Sequence, residues 1–372
     1  ADIQQHGNGI LLNRTFFPNF TRFANDMLVL RSVQSWEAEH QRGQFYLTTA
    51  HPANPAFLAE SPHIGAVVAL EKGGQGKLPP FISLNGNAGR GSVFLGGKYE
   101  PMSAPANQGG FTTIQHNFFG NVQQSQTRFD QRYALLNELD ARMRANPFDL
   151  SMAKHADFYG SARQLMYDPL ITDVFRFSAE DNARYGNHNF GRACIVARNI
   201  VRADAGAVYV NINNNGWDTH QRMLDTAYSP NMYVLAGQLD QGVGMMIEDL
   251  KQSGHFDTTL IVMMGEFGRT PGPLNAQDGR DHHKDAMSVA MFGGGVRGGV
   301  AIGATDANGA QIIEPGWHMN RPIYPEDIVS TLYSALGINW TKGITDTPSG
   351  RRYEYIPLAW NGRFTAVREV FG

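Results

Sequence analysis

From residue 190 onward the sequence alternates between amphipathic helical stretches and short, almost continuously apolar runs, and that alternation most narrows the folds open to it. Phe190 to Ala203 predicts a helix, Ala207 to Ile212 a strand, Met232 to Gln252 a long helix, and Thr259 to Met264 a second strand. Ala286 to Phe292 reads as a further strand, and Tyr324-Pro325-Glu326-Asp327 opens a helix over Ile328 to Leu336. A strand with one wet face alternates polar and apolar residues, whereas one covered on both faces is apolar along its length. The expectation is an α/β fold of three layers, α/β/α, around a mainly parallel central sheet.

The first part of the chain is less regular. A short helix over Pro18 to Ala24 leads into the strand Met27 to Arg31, and Trp36 to Thr49 reads as a helix despite Gly43. Ser61-Pro62 reads as an N-cap followed by a first-turn proline, opening a helix over His63 to Leu70, and Phe81 to Leu84 is a short strand. Residues 85–125 are dense in Gly, Asn and Gln and read as loops, and helices are expected over Thr127 to Ala145 and Ser151 to Met166. The stretch 85–185 is thus a loop and helical insertion beside the sheet, and residues 1–372 form a single domain. There is no internal repeat and no heptad run.

Composition removes several function classes. The formal net charge of the 372 residues is -3 with no basic block, which disfavours binding to nucleic acid through phosphate neutralisation. No run approaches the ~20 apolar residues that span a bilayer. Cys194 is the only cysteine, so an intrachain disulfide and a cysteine metal site are both excluded. The start Ala1-Asp2-Ile3 and the abundance of Asn, Gln and Gly fit an exported, processed protein, periplasmic or extracellular, and fit a fragment equally well.

Ligands of open α/β sheets bind where loops converge at the carboxyl ends of strands. Three polar clusters lie beside expected strands: Asp218 and His220 in Gly216-Trp-Asp-Thr-His220, Glu266 in Gly265-Glu-Phe-Gly-Arg-Thr-Pro271, and Asp281, His282 and His283 in Gly279-Arg-Asp-His-His283. Imidazole with carboxylate and no thiolate suits zinc, manganese or iron. Asp218, His220, Glu266, Asp281 and His282 are therefore candidate ligands for one or two divalent ions, with zinc expected. Arg269 stands ready either to bind an anionic oxygen or to pair with a neighbouring carboxylate. His283 reads as a supporting or surface residue, while Arg31 and Ser32 leave a strand end and could face the site.

These motifs resemble the bacterial "domain of unknown function 1501" family, which is similar to the alkaline phosphatase and sulfatase superfamily. Supporting matches are Leu30-Arg-Ser32 with His40 downstream, Phe190-Gly-Arg192, Gly293-Gly-Gly-Val296 and Pro325-Glu-Asp327. The resemblance implies an alkaline-phosphatase-like sheet in which Asp218, His220 and His282 share one ion and Glu266 sits at a second. His40, eight residues before Thr48, falls at the spacing where that superfamily places its nucleophile. It reads equally as a phosphoryl acceptor, a metal ligand or a structural residue. Two departures stand out: Phe267 occupies a position where better-known members carry a histidine ligand, and no Ser or Thr fills the nucleophile position. The implied function is an exported, metal-dependent hydrolase acting on a small anionic phosphate or sulfate ester. The rival reading is a non-catalytic, metal-stabilised secreted protein that assembles with or binds an extracellular surface partner. The resemblance also implies an opening strand carrying an aspartate ahead of the sequence given, so the expectation is a gap in the middle of the sheet, filled by upstream polypeptide, another segment or another subunit.

Overall fold

The computed structural model describes residues 2–372 apart from 57, 75, 87, 107–121 and 142–167. A hairpin of β1 (Ile3–His6) and β2 (Ile10–Asn13) precedes α1 (Pro18–Arg22), and β3 (Met27–Val33) leads through a loop to α2 (His40–Thr49). Next come α3 (Ile64–Lys72), β4 (Phe81–Leu84) and β5 (Met102–Ala104). Residues 122–184 contribute α4 (Val122–Leu139), α5 (Pro169–Phe175) and α6 (Ala179–Arg184). The expected helix Ser151 to Met166 lies outside the described residues. Then follow α7 (Asn189–Ala203), β6 (Tyr209–Ile212), α8 (Met232–Gln252) and β7 (Ile261–Met263). The short pair β8 (Gly268–Arg269) and β9 (His282–His283) precedes β10 (Met287–Phe292), β11 (Val300–Ile302), β12 (Ala304–Thr305), β13 (Ile312–Glu314) and α9 (Pro325–Ala335).

Local chemistry sets the helix starts. The Glu39 carboxylate accepts from the Gln41 and Arg42 amides, so α2 begins at His40 and the residues from Trp36 to Glu39 stay outside it. The cap of α3 is His63, whose Nδ1 accepts from the Gly65 amide at 2.9 Å, and not Ser61. The Asp327 carboxylate reaches back to the Tyr324 amide at 3.0 Å and closes the first turn of α9 behind Pro325.

The described strands form two principal sheets. One has the order β11-β3-β10-β7 and the other β5-β4-β6. The second is wholly parallel, but in the first, β10 runs antiparallel to both β3 and β7 and only β11 pairs in parallel. The expected mainly parallel sheet is therefore mixed. The cause is the connection: no helix separates β7 from β10, and a strand reached without a crossover helix returns antiparallel. Its apolar residues gave no hint of this, because burial on both faces looks the same in either direction.

Helices cover both faces. Val210 and Ile212 of β6 and Ile261 and Met263 of β7 pack against one cluster with α7 and α8 side chains such as Cys194, Ile195, Val243 and Ile247. On the other face, Leu28, Leu30, Val289 and Met291 meet Ile328 of α9, while Tyr209 packs with Val67, Val329 and Tyr333. Buried charge joins the outer helices: Arg198 of α7 donates to Asp249 of α8 at 2.6 Å, and Tyr185 donates to the same carboxylate at 2.7 Å.

Candidate metal centre

Strand ends and helix starts bring the candidate residues together. The loop after β3 delivers His40 at the first position of α2, and the loop after β6 delivers Asp218 and His220. Glu266 follows β7 directly, and β9 presents His282 opposite Arg269 of β8. Two glycines permit the close approaches. A Cβ at Gly279 would lie 2.0 Å from the His220 carbonyl carbon, and one at Gly43 would lie 3.1 Å from Glu266 Cβ. Gly43 thus sits inside a helix because α2 presses against Glu266 there.

Each histidine is anchored through Nδ1. His40 Nδ1 lies 2.9 Å from Glu266 Oε1, His220 Nδ1 lies 2.8 Å from Asp281 Oδ1, and His282 Nδ1 lies 2.7 Å from the Ala38 carbonyl oxygen. Carboxylates and carbonyls have no proton to offer, so Nδ1 is the donor in all three rings and Nε2 keeps its lone pair in the neutral form. Those lone pairs converge. His220 Nε2 and His282 Nε2 stand 3.0 Å apart, and they lie 2.9 and 3.1 Å from Asp218 Oδ1. His40 Nε2 is 3.1 Å from Asp218 Oδ2, yet it is buried and makes no hydrogen bond.

Four ligand atoms from His40, Asp218, His220 and His282 lie within 4.8 Å of one another. A tetrahedral shell with bonds of roughly 2.0–2.2 Å spaces its ligands ~3.3–3.6 Å apart, slightly wider than the contacts here. Facing lone pairs repel unless a cation lies between them. The donor set, the orphaned His40 nitrogen and the three anchored Nδ1 atoms therefore fit a divalent ion.

Electrostatics favour the charged carboxylate. Burial raises the Asp218 pKa, but the Arg269 guanidinium at 2.7 Å, together with His282 and His40, holds it far below the usual range. Hydrogen bonding to Glu266 raises the pKa of His40 against a smaller effect of burial, and the hydrogen bond from His220 lowers that of Asp281.

The structure thus brings together all five candidate ligands and both candidate catalytic residues, in two shells. Asp218, His220, His282 and His40 turn ligand atoms to one point, while Glu266 and Asp281 lie behind His40 and His220. Arg269 pairs with Asp218 and also donates to the Arg280 carbonyl at 3.2 Å. His283 turns away, with Nε2 3.0 Å from the Ala310 carbonyl. Arg31 and Ser32 do not join the centre: Arg31 donates to the Gly303 and Gly9 carbonyls, and Ser32 to Pro315. Ala38 contributes only its carbonyl, which no side-chain pattern could signal.

The sequence model of a family described as a protein of unknown function, DUF1501, matches residues 2–356. The chain belongs to that family. No curated protein matches it in sequence. Among solved structures, PsFucS1 sulfatase from Pseudoalteromonas sp. is 14% identical with a TM-score of 0.43, over 95% of this chain and 70% of that one. Ps i-CgsB is 13% identical with a TM-score of 0.42, over 87% and 67%. The lipoteichoic acid synthase LtaP from Listeria monocytogenes is 12% identical with a TM-score of 0.36, over 87% and 66%.

Proposed function

We propose that this chain is a metal-dependent hydrolase of small phosphate or sulfate esters that works outside the cytoplasm. The observation that carries the reading is the convergence of three anchored imidazoles on the Asp218 carboxylate. His40, Asp218, His220 and His282 would hold one ion, for which zinc suits the nitrogen-rich set. The ion would polarise an ester oxygen and lower the pKa of a water brought to it. Glu266, Asp281 and the Ala38 carbonyl fix the ring orientations and the tautomers. Arg269 holds Asp218 with one arm of its guanidinium and offers an anionic ester a cation beside the ion. Asp218 is 46% exposed, so the outer side of the centre is open to substrate.

One observation favours a second reading. Four protein ligands can saturate tetrahedral zinc, as structural sites do, whereas catalytic sites keep a position open. On that reading the ion only stabilises a secreted binding or assembly protein. A panel of phosphate and sulfate esters, assayed with the zinc-loaded chain and with Arg269→Ala, separates the two. Turnover that is lost on chelation and reduced at least tenfold in Arg269→Ala supports the hydrolase. A loaded chain that turns over none of the panel supports the stabilising ion.

A further inference from the structure

Asp281 is poorly placed to hold His220 unaided. Its side chain is 57% exposed, and an exposed carboxylate free to turn into water gives a partner little support. Yet Asp281 Oδ1 is the group that anchors His220 Nδ1, at 2.8 Å. A second contact steadies that carboxylate. Asn275 Nδ2 donates to Asp281 Oδ1 at 3.2 Å and to the His220 carbonyl oxygen at 3.0 Å. One amide therefore grips a candidate ligand by its main chain and also grips the carboxylate behind that ligand's ring.

The orientation of the Asn275 amide is fixed from its other end. Asn275 Oδ1 accepts from the Gln277 and Gly279 amides, both at 3.0 Å. Only the oxygen can receive two backbone N–H groups, so Nδ2 must face His220 and Asp281. Turning the amide round would set N–H against N–H and oxygen against oxygen. Main-chain bonds hold the turn as well. The Asn275 amide donates to the Gly279 carbonyl at 2.9 Å, and the Asp278 amide to the Asn275 carbonyl at 3.0 Å. The Arg222 and Met223 amides donate to the Gln277 and Asp278 carbonyls at 2.8 and 2.9 Å. The backbone thus carries residue 275 to His220, and the side chain supplies both donors there.

We infer that Asn275 is a positioning residue of the centre, a clasp that ties the His220 main chain to the Asp281 carboxylate and so fixes the direction of the His220 ring. The inference rests on the reading of the four converging side chains as a metal site. With the clasp in place His220 is held at its carbonyl and at Nδ1, which leaves Nε2 aimed at Asp218 Oδ1, 2.9 Å away. Orientation of this kind, imposed from behind the ligands, governs how tightly an ion is held. In the sequence, Leu274-Asn-Ala-Gln-Asp-Gly279 carries only turn chemistry, which hides the second use of its asparagine.

Asn275→Asp separates the turn from the clasp. Aspartate keeps the oxygen that accepts from Gln277 and Gly279 but loses both donors. Its added negative charge would by itself draw a cation closer, so weaker binding reports the lost clasp. Chelator competition should show zinc affinity reduced at least about tenfold, and the visible absorption of the cobalt-loaded chain should shift as His220 turns. The metal-free variant should melt within about 2 °C of the parent chain, which a purely structural role would not allow. Asn275→Ala, which adds no charge, should weaken zinc binding too. Parent affinity with an unchanged cobalt spectrum in both variants would overturn the inference. So would a metal-free Asn275→Asp chain that melts well below the parent. A parent chain that takes up neither zinc nor cobalt would overturn the metal reading and the clasp together.

Discussion

His220 and His282 are held from behind by a carboxylate and a carbonyl, and that asymmetry decides what each substitution should do. His282→Ala removes a ligand and should lower both metal affinity and thermal stability, since an ion at a hundredfold excess over its Kd adds about 2.7 kcal/mol to the folded state. His283→Ala, one residue along the strand, loses only a contact with the Ala310 carbonyl and should keep its metal. Asp281→Asn and Glu266→Gln leave the ligand count intact but loosen His220 and His40. Competition with a chromophoric chelator should show affinity weakened about 10–100-fold; unchanged affinity in both would remove these carboxylates from the supporting shell. The spacing Asp218-x-His220 and the pair Asp281-His282 marked in the sequence residues that the structure gathers. Which carboxylate faces the converging rings and which stands behind one was not legible, because both are the same chemical group. His40 was ambiguous for another reason: its role depends on a helix start that Glu39 sets and on partners more than 170 residues away.

Helix starts and strand directions account for most of what the sequence concealed. Met232–Gln252 was fully legible from its period, whereas the direction of β10 depended on a connection that carries no apolar pattern. α2 is fixed at both ends of its contact surface, by Glu266 against Gly43 and by Tyr46, whose hydroxyl donates to Glu326 of α9. Burial pushes the Glu326 pKa up from 4.5 to about 8, against the opposing hydrogen bond from Tyr46. A carboxyl with a raised folded-state pKa contributes stability that is complete below about pH 4.5 and lost as pH rises through about 8. Chemical denaturation of the metal-free chain should therefore show Glu326→Gln flattening the stability loss between those limits; an unchanged slope would contradict the assignment. Between α7 and α8, Asp249→Ala removes the acceptor shared by Arg184, Tyr185 and Arg198, while Arg198 keeps Asp181 at 2.9 Å, so the loss should be about 1–3 kcal/mol, with Asp249→Asn milder. A loss below 1 kcal/mol would show the pair to be replaceable.

At the scale of the whole molecule, the helix and strand alternation after residue 190 revealed a layered α/β chain, and its strand-end loops pointed to the centre. The layers were legible because burial on both faces leaves an apolar signature, while the partner of each strand leaves none. The centre draws on loops after β3, β6 and β7 and on β9, so its assembly depends on the sheets holding register across most of the chain. On the proposed function the four converging ligand atoms hold one ion, and Glu266 supports His40 without holding a second. Elemental analysis of the purified chain, loaded with excess zinc and dialysed, tests this most directly beside His40→Ala and His282→Ala. The expected result is one zinc per chain, with far less in either variant. Two ions per chain, or one ion retained undiminished by both variants, would contradict the account.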